Sequence, residues 1–365
     1  MPLYTSYPKD EYTALKKPIQ QAIQRVLDSG IYVLGKEVTA FEQEFSKYCK
    51  LKYAIGVGNG TDALFLSLKA LNIGAGDEVI TTPMTAAYTA FAVVYAGATP
   101  VFVDVHPDTY EIDETQIERA ITKRTKAIIP VHLFGQPCNI QAIMKIAKKH
   151  KLKVIEDCCQ AHGAEVSKRR VGTFGDIACY SFYPTKNLGG IGDGGAILTN
   201  NKALAAKIRL LHNGHQTEKY YHTAVGHNTR LDEMQAAILR VKLANLDKFI
   251  AKRQQIADWY DALLDSSKVA KPKRSKGVRH VFHLYVIQSK QRDALQAHLA
   301  KHGIITQVHY PWPLHALPAF KFLRKTYRLP HSTAMSNMAL SLPMYPGLTR
   351  QDVVKIAKLV NSFTR

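Results

Sequence analysis

Acidic residues are the scarce class here: 29 Asp+Glu stand against 49 Lys+Arg, a formal net charge of +20 over 365 residues. Cysteine is also sparse. Its five copies (Cys49, Cys138, Cys158, Cys159, Cys179) include no C-x-x-C pair. So odd and scattered a set argues against a disulfide scaffold and for reduced thiols in a cytoplasmic protein. Met1–Asp10 is polar and leads into no apolar signal-peptide core. One long uncharged run exists, Val79–Val103, but Pro83, Gly97 and Pro100 interrupt it. Such a run suits a buried strand–helix–strand passage better than a membrane span, so no membrane partner is expected. The G-x-S-x-G elbow and the G-x-x-x-x-G-K-[ST] loop are missing, which removes the common signatures of serine hydrolases and P-loop enzymes. What remains, at 46% hydrophobic and 21% charged, is an ordinary globular composition long enough for about two domains. The basic surplus admits an anionic ligand. Its lysines are dispersed, with no segregated basic stripe, so no nucleic-acid partner is expected.

Seven short apolar runs alternate with helix-patterned segments: Tyr53–Val57, Glu78–Thr82, Pro100–Val105, Ala127–Leu133, Lys153–Asp157, Ala178–Phe182 and Gly195–Thr199. Continuous apolar strands between helices predict an α/β fold with a mostly parallel seven-stranded sheet covered on both faces. A long helical pattern starts at Leu231, with Met234, Ile238, Leu239 and Val241 on one face. Beyond the basic, loop-like Lys268–Arg279, Val281–Gln288 reads as a strand, Gln291–His302 as a helix stopped by Gly303, and Ile304–Val308 as a strand. The expected division is a large domain over 1–245, carrying an N-terminal arm, and a small α+β domain over 246–365.

Three segments carry chemistry. Gly58-Asn59-Gly60-Thr61-Asp62 joins a strand to a helix; it is either an anion site at a helix N-terminus or a capped tight turn. Asp157 closes an apolar strand, where α/β proteins bind ligands, and reads either as a site carboxylate or as a helix cap. Lys186 follows another apolar strand. There its pKa can be lowered for Schiff-base and proton-transfer work. A lysine Schiff base with an aspartate on a pyridinium nitrogen is the kit for pyridoxal phosphate. Gly190-x-Gly192-x-x-Gly195 precedes a strand instead of opening a helix, so it reads as a turn. His298 and His302 have i, i+4 spacing without a third ligand, and no metal is expected.

Asn59-Gly60-Thr61-Asp62, Glu156-Asp157-x-x-Gln160, Ser181-Phe182-Tyr183-Pro184-Thr185-Lys186-Asn187-Leu188-Gly189 and Gly226-x-Asn228-x-Arg230-Leu231-Asp232 follow in that order. Together they resemble the DegT/DnrJ/EryC1/StrS family of nucleotide-sugar aminotransferases, which have the aspartate aminotransferase fold (fold type I). The resemblance runs from Ser29 to Tyr345. It implies pyridoxal 5′-phosphate bound covalently by Lys186, with Asp157 on the ring nitrogen and Gln160 beside the phenolic oxygen. Gly60, Thr61 and Ser181 match phosphate donors. Asn228 matches a phosphate contact supplied by a neighbouring subunit, which implies a homodimer with shared sites. Lys186 also separates the chain from the family's dehydratase branch, where histidine stands in its place.

One position departs from the pattern. In the family an aromatic residue directly after the threonine matching Thr85 stacks on the cofactor ring; here that position is Ala86, and Tyr88, the nearest aromatic, is the candidate cofactor contact in its place. Lys186-Asn187-Leu188-Gly189 with Gly192-Asp193-Gly194-Gly195, and His309-Tyr310-Pro311-x-Pro313-x-His315, are similar to the subgroup that aminates dTDP-linked 3-keto-6-deoxyhexoses. The resemblance thus implies a nucleotide-linked keto-sugar as acceptor and L-glutamate as donor. Tyr183, Lys219, Arg230, His309, Tyr310 and His315 are the candidate substrate contacts. The alternatives are a 4-keto nucleotide sugar or cyclitol ketone as acceptor, and a basic regulatory protein built on the same fold.

Overall fold

The computed structural model describes residues 2–323 and 327–363. The seven apolar runs form one sheet: β1 Tyr53–Val57, β2 Glu78–Thr81, β3 Thr99–Phe102, β4 Thr125–Ile129, β5 Lys153–Asp157, β6 Ile177–Ser181 and β7 Gly195–Thr199. Their order across the sheet is β1-β7-β6-β5-β4-β2-β3. β7 runs antiparallel to both neighbours, and the other adjacent pairs are parallel. Val79–Val103 is, as expected, strand, helix (Ala87–Tyr95) and strand. Among the described residues no helix is long and apolar enough to cross a membrane.

The two-residue period of a strand divides the core into two layers. Ala178, Tyr180 and Phe182 enter the layer under helix Lys36–Cys49, while Ile177 and Cys179 enter the layer under helix Gly60–Ala70. In the first layer Tyr180 meets Phe45 edge-on at 5.0 Å, and Phe182 meets Phe41 at 5.2 Å. Each fully buried ring of this kind contributes about 1.5–3 kcal/mol. This packing holds the carboxyl ends of β5 and β6 rigidly side by side. Asp157 and Ser181 are their last residues.

The helical pattern from Leu231 breaks at Ala244–Asn245 into helices Glu233–Leu243 and Leu246–Leu263. The second helix serves two cores. Leu246 and Ile250 join the sheet, while Ile256, Ala257 and Tyr260 join the C-terminal unit. In that unit Tyr285–Gln288 pairs antiparallel with Ala339–Leu342. The strand expected from Val281 therefore begins four residues late. Phe282 takes a positive φ of 44° that ends extended geometry, and Arg253 Nη1 donates to the Phe282 and Met344 carbonyls at 3.3 and 2.8 Å. Ile304–Val308 likewise shortens to Ile304–Ile305, which pairs with Leu3–Tyr4 of the N-terminal arm. That arm also buries Glu11, which reaches Lys242 at 3.1 Å and Arg253 at 3.7 Å.

Candidate active site

Three elements converge on one pocket. The first is the N-terminus of helix Gly60–Ala70. Asn59 Oδ1 caps the Asp62 N–H at 2.8 Å and the Asn59 carbonyl takes the Ala63 N–H at 3.1 Å. The N–H groups of Gly60 and Thr61 are left for an anion. Gly60 is required here, because a Cβ would lie 2.8 Å from Ser181 Cβ and 3.0 Å from Cys159 Sγ. Ser181 and Thr61 flank it, both half-buried, so two hydroxyls lie beside the unbonded amides of the helix terminus.

The second element is the end of β5. Asp157 is buried at 3% exposure. A buried carboxylate is costly without donors, and two hold it: Thr89 Oγ1 donates to Oδ2 at 2.9 Å and the Cys159 N–H to Oδ1 at 3.1 Å. Behind it, buried Glu156 accepts from His132 Nε2 and the N–H groups of Gly172, Phe174 and Gly175. Cys138 donates its N–H to His132 Nδ1, so Nε2 carries the ring proton. Gln160 is aimed by two bonds: its Oε1 accepts the Phe134 N–H at 2.9 Å and its Nε2 donates to Tyr310 Oη at 3.2 Å.

The third element is the loop after β6. The Lys186 N–H donates to Tyr183 O at 2.9 Å, and Gly190 N–H to Phe182 O at 2.7 Å. Gly189 permits the turn, since a Cβ there would meet Pro184 O at 2.5 Å. Asn187 Nδ2 ties the loop to Val281 O at 2.8 Å. Crowding by protein pushes Lys186 below the ordinary lysine pKa, and the Asp157 carboxylate opposes that shift. His162, His283 and His309 face the same ammonium. Burial lowers each imidazole, His162 to about 3 and His309 to about 4, so all three are neutral at physiological pH.

The structure therefore brings together Gly60, Thr61, Asp157, Gln160, Ser181, Lys186, His309 and Tyr310. His309 is fixed by Ser341 Oγ at 2.8 Å, and burial pushes the Tyr310 phenol well up. Other candidates lie outside that group. Tyr88 is 62% exposed and leans edge-on against Phe91 at 6.0 Å, so it does not cover the pocket within this chain. Helical geometry explains this: Thr89, one residue on, takes the inward direction. Tyr183 is 52% exposed at the pocket mouth. Lys219 and Asn228 are exposed, on and beside the hairpin Gln216–Glu218/Tyr221–His222. Arg230 is held by Asn213 Oδ1 at 2.8 Å. His315 packs near Tyr327 at 6.2 Å and feels Asp104, not Lys186. The sequence reading missed Thr89, which carries no motif and sits 68 residues from its partner.

This donor set fits pyridoxal 5′-phosphate. A helix terminus closed to any Cβ can offer amides and hydroxyls to a phosphate, a buried aspartate can accept from a protonated ring nitrogen, and a lysine with lowered pKa lies within its electrostatic reach. The comparisons agree. The sequence matches the DegT/DnrJ/EryC1/StrS aminotransferase family over residues 13–361. A relative from Aneurinibacillus thermoaerophilus, dTDP-3-amino-3,6-dideoxy-alpha-D-galactopyranose transaminase, is 46% identical over 95% of this chain and 96% of its own. A "pleiotropic regulatory protein" from Geobacillus stearothermophilus is also 46% identical, over 98% of this chain and 97% of its own. The crystal structure of DesV from S. venezuelae superposes with a TM-score of 0.96 at 41% identity, covering 99% of this chain and 98% of that one. The family uses pyridoxal 5′-phosphate. Family-wide similarity and a matching cofactor pocket give one conclusion: the chain belongs to the DegT/DnrJ/EryC1/StrS aminotransferase family.

Proposed function

We propose that this chain moves the amino group of L-glutamate onto a dTDP-linked 3-keto-6-deoxyhexose in the cytoplasm, as a homodimer. Residues 1–245 act as the cofactor-binding unit and 246–365 as the small unit. The observation that carries the proposal is the meeting of Lys186, Asp157 and the Gly60 helix terminus in one pocket. The acceptor class rests on the dTDP-sugar relative and on the glycine-rich turn after Lys186.

Pyridoxal 5′-phosphate supplies the electron sink that no side chain provides. Gly60, Thr61 and Ser181 would hold its phosphate, and Asp157 would keep the proton on its ring nitrogen. With the cofactor bound, Lys186 Nζ, its pKa lowered, would hold it covalently and, once freed, would be the group placed to take and return the donor's α-proton, general acid–base work at one fixed position. Gln160, held by Phe134 and Tyr310, would lie beside the phenolic oxygen. Tyr183, His309 and Tyr310 contact hexose hydroxyls, and Lys219 meets the diphosphate. His309 is neutral in this role, a hydrogen-bonding group with no charge to place.

Dimerisation is supported by what one chain leaves uncovered. Ile31–Leu34 is exposed and apolar, and Tyr220 and Val225 are 83% and 91% exposed beside Asn228. A second copy covering them would bring Asn228 to the phosphate of the neighbouring site. The test is an acceptor panel: enzyme loaded with the amine form of the cofactor is mixed with dTDP-, UDP- and GDP-linked keto-sugars. Return of the visible absorbance should be fastest with a dTDP-3-keto-6-deoxyhexose. Failure with every nucleotide sugar overturns the substrate class.

A further inference from the structure

Asp157 presents a problem that the motif residues do not solve. Among the described residues, no arginine, lysine or histidine is hydrogen-bonded to this buried carboxylate. Its donors are the Cys159 N–H and the hydroxyl of Thr89, with the Cys159 thiol beside them. Thr89 is itself 2% exposed and lies in the first turn of helix Ala87–Tyr95. Its Oγ1 also lies 3.2 Å from Thr85 Oγ1, and Thr85 is equally buried. The proton positions follow from valence. An ionised carboxylate only accepts, so Thr89 gives its single hydroxyl proton to Asp157. Thr85 must then be the donor in the contact with Thr89.

From this chain of bonds we propose that Thr85 and Thr89 are positioning residues for the cofactor's ring nitrogen, acting through Asp157. The relay runs Thr85 Oγ1–H to Thr89 Oγ1–H to Asp157 Oδ2. Each donated bond polarises the next, so the pair stabilises the carboxylate more than one hydroxyl would. It also leaves Asp157 no freedom to rotate. Cys159 N–H fixes one oxygen and Thr89 the other. The position carries weight in this chain because Ala86 offers no ring to stack on the cofactor, and Tyr88 turns outward. The grip on the ring nitrogen then bears more of the task of orienting the ring. The inference rests on the proposed reading of Asp157 as the ring-nitrogen partner.

The experiment compares Thr89→Val, Thr89→Ser, Thr85→Val, the Thr85→Val/Thr89→Val double variant and Asp157→Asn. Two readouts are taken besides turnover. They are the dissociation constant of pyridoxal phosphate from the apoprotein and the midpoint of the alkaline titration of the holoenzyme's visible band. Thr89→Val should weaken cofactor binding on the order of ten- to a hundredfold, the loss of one hydrogen bond to a charged group. It should also move the titration upward, because a loosened carboxylate holds less positive charge on the chromophore. Thr89→Ser keeps the hydroxyl and should restore both. Thr85→Val should weaken binding by roughly two- to tenfold alone, the loss of a neutral hydrogen bond, and add nothing in the Thr89→Val background.

Thr89→Val with wild-type affinity and titration, or full additivity of the two substitutions, overturns the relay. Should Thr89→Val fail to fold, Thr89→Ser and Thr85→Val still decide it: a Thr89→Ser variant as impaired as a hydroxyl-free one is contrary to the proposal. Asp157→Asn separates this inference from its foundation. If Asp157→Asn disrupts both readouts while Thr89→Val changes neither, the relay alone falls. If Asp157→Asn also changes neither, the assignment of Asp157 falls with it.

Discussion

The two halves of the pocket are built differently. At the cofactor end, Asp157, Gln160, Glu156 and Thr89 are buried, and their polar atoms are bonded within the chain. At the proposed substrate end, Tyr183, Lys219 and Tyr220 are exposed, and the hairpin that carries Lys219 and Tyr220 leans on little else. The ring-binding side of the pocket is bonded within one chain, whereas the proposed substrate side, like the phosphate contact proposed for Asn228, depends on ligand or a second copy. The difference teaches that cofactor chemistry is set by folding, whereas sugar selection depends on surfaces that close later. Substitutions at the two ends should therefore fail in different ways.

The largest effect is expected at the closed end. Gly60→Val places carbon where Ser181 Cβ already stands 2.8 Å from an added Cβ, an overpacking cost of about 1–3 kcal/mol before any loss of phosphate contacts. Cofactor affinity should drop by one to two orders of magnitude in an equilibrium titration, on the order of that cost in binding energy. At the open end, Lys219→Ala should raise KM for the nucleotide sugar roughly tenfold, the loss of one charge-assisted bond, with cofactor affinity unchanged. A matching fall in cofactor affinity would break the division between the halves. Tyr183→Phe should act the same way but by only about three- to tenfold, as fits one neutral hydroxyl.

The smallest effect concerns stability and pH. Burial depresses His162 and His280 to about 3 and His212 to about 4, below the ordinary 6.5. Between those values the unfolded chain binds protons that the folded chain refuses. The contribution is thus fully present above about pH 6.5 and is lost as pH falls toward 4. Melting temperature measured by calorimetry should be lower at pH 5 than at pH 7.5. An equal or higher value at pH 5 would mean that these imidazoles are not shut away from water.

Much of the closed half was legible from residue order alone. Apolar runs bounded by Asp157, Ser181 and Gly58 placed three strand ends and their motifs at one sheet edge, because strand period and burial are local properties. The Thr89–Asp157 bond was not legible, since it joins residues 68 apart through packing between a helix and a strand. Gln160 and Tyr310 meet across 150 residues for the same reason. Local rules also overran at Val281–Gln288, where a buried arginine, Arg253, takes carbonyls that a ladder would have used. Tyr88 was chosen for its ring; the turn of its helix sent that ring outward and Thr89 inward.

The central claim is that Lys186 both bonds the cofactor and moves the proton. Lys186→Ala, purified and mixed with pyridoxal phosphate, tests it in one spectrum and one assay. The account predicts no visible band of covalently bound cofactor, and turnover lowered by at least on the order of 10²–10⁴, the usual contribution of a positioned acid–base group. A Lys186→Ala enzyme that shows the band and transaminates at the wild-type rate would contradict it.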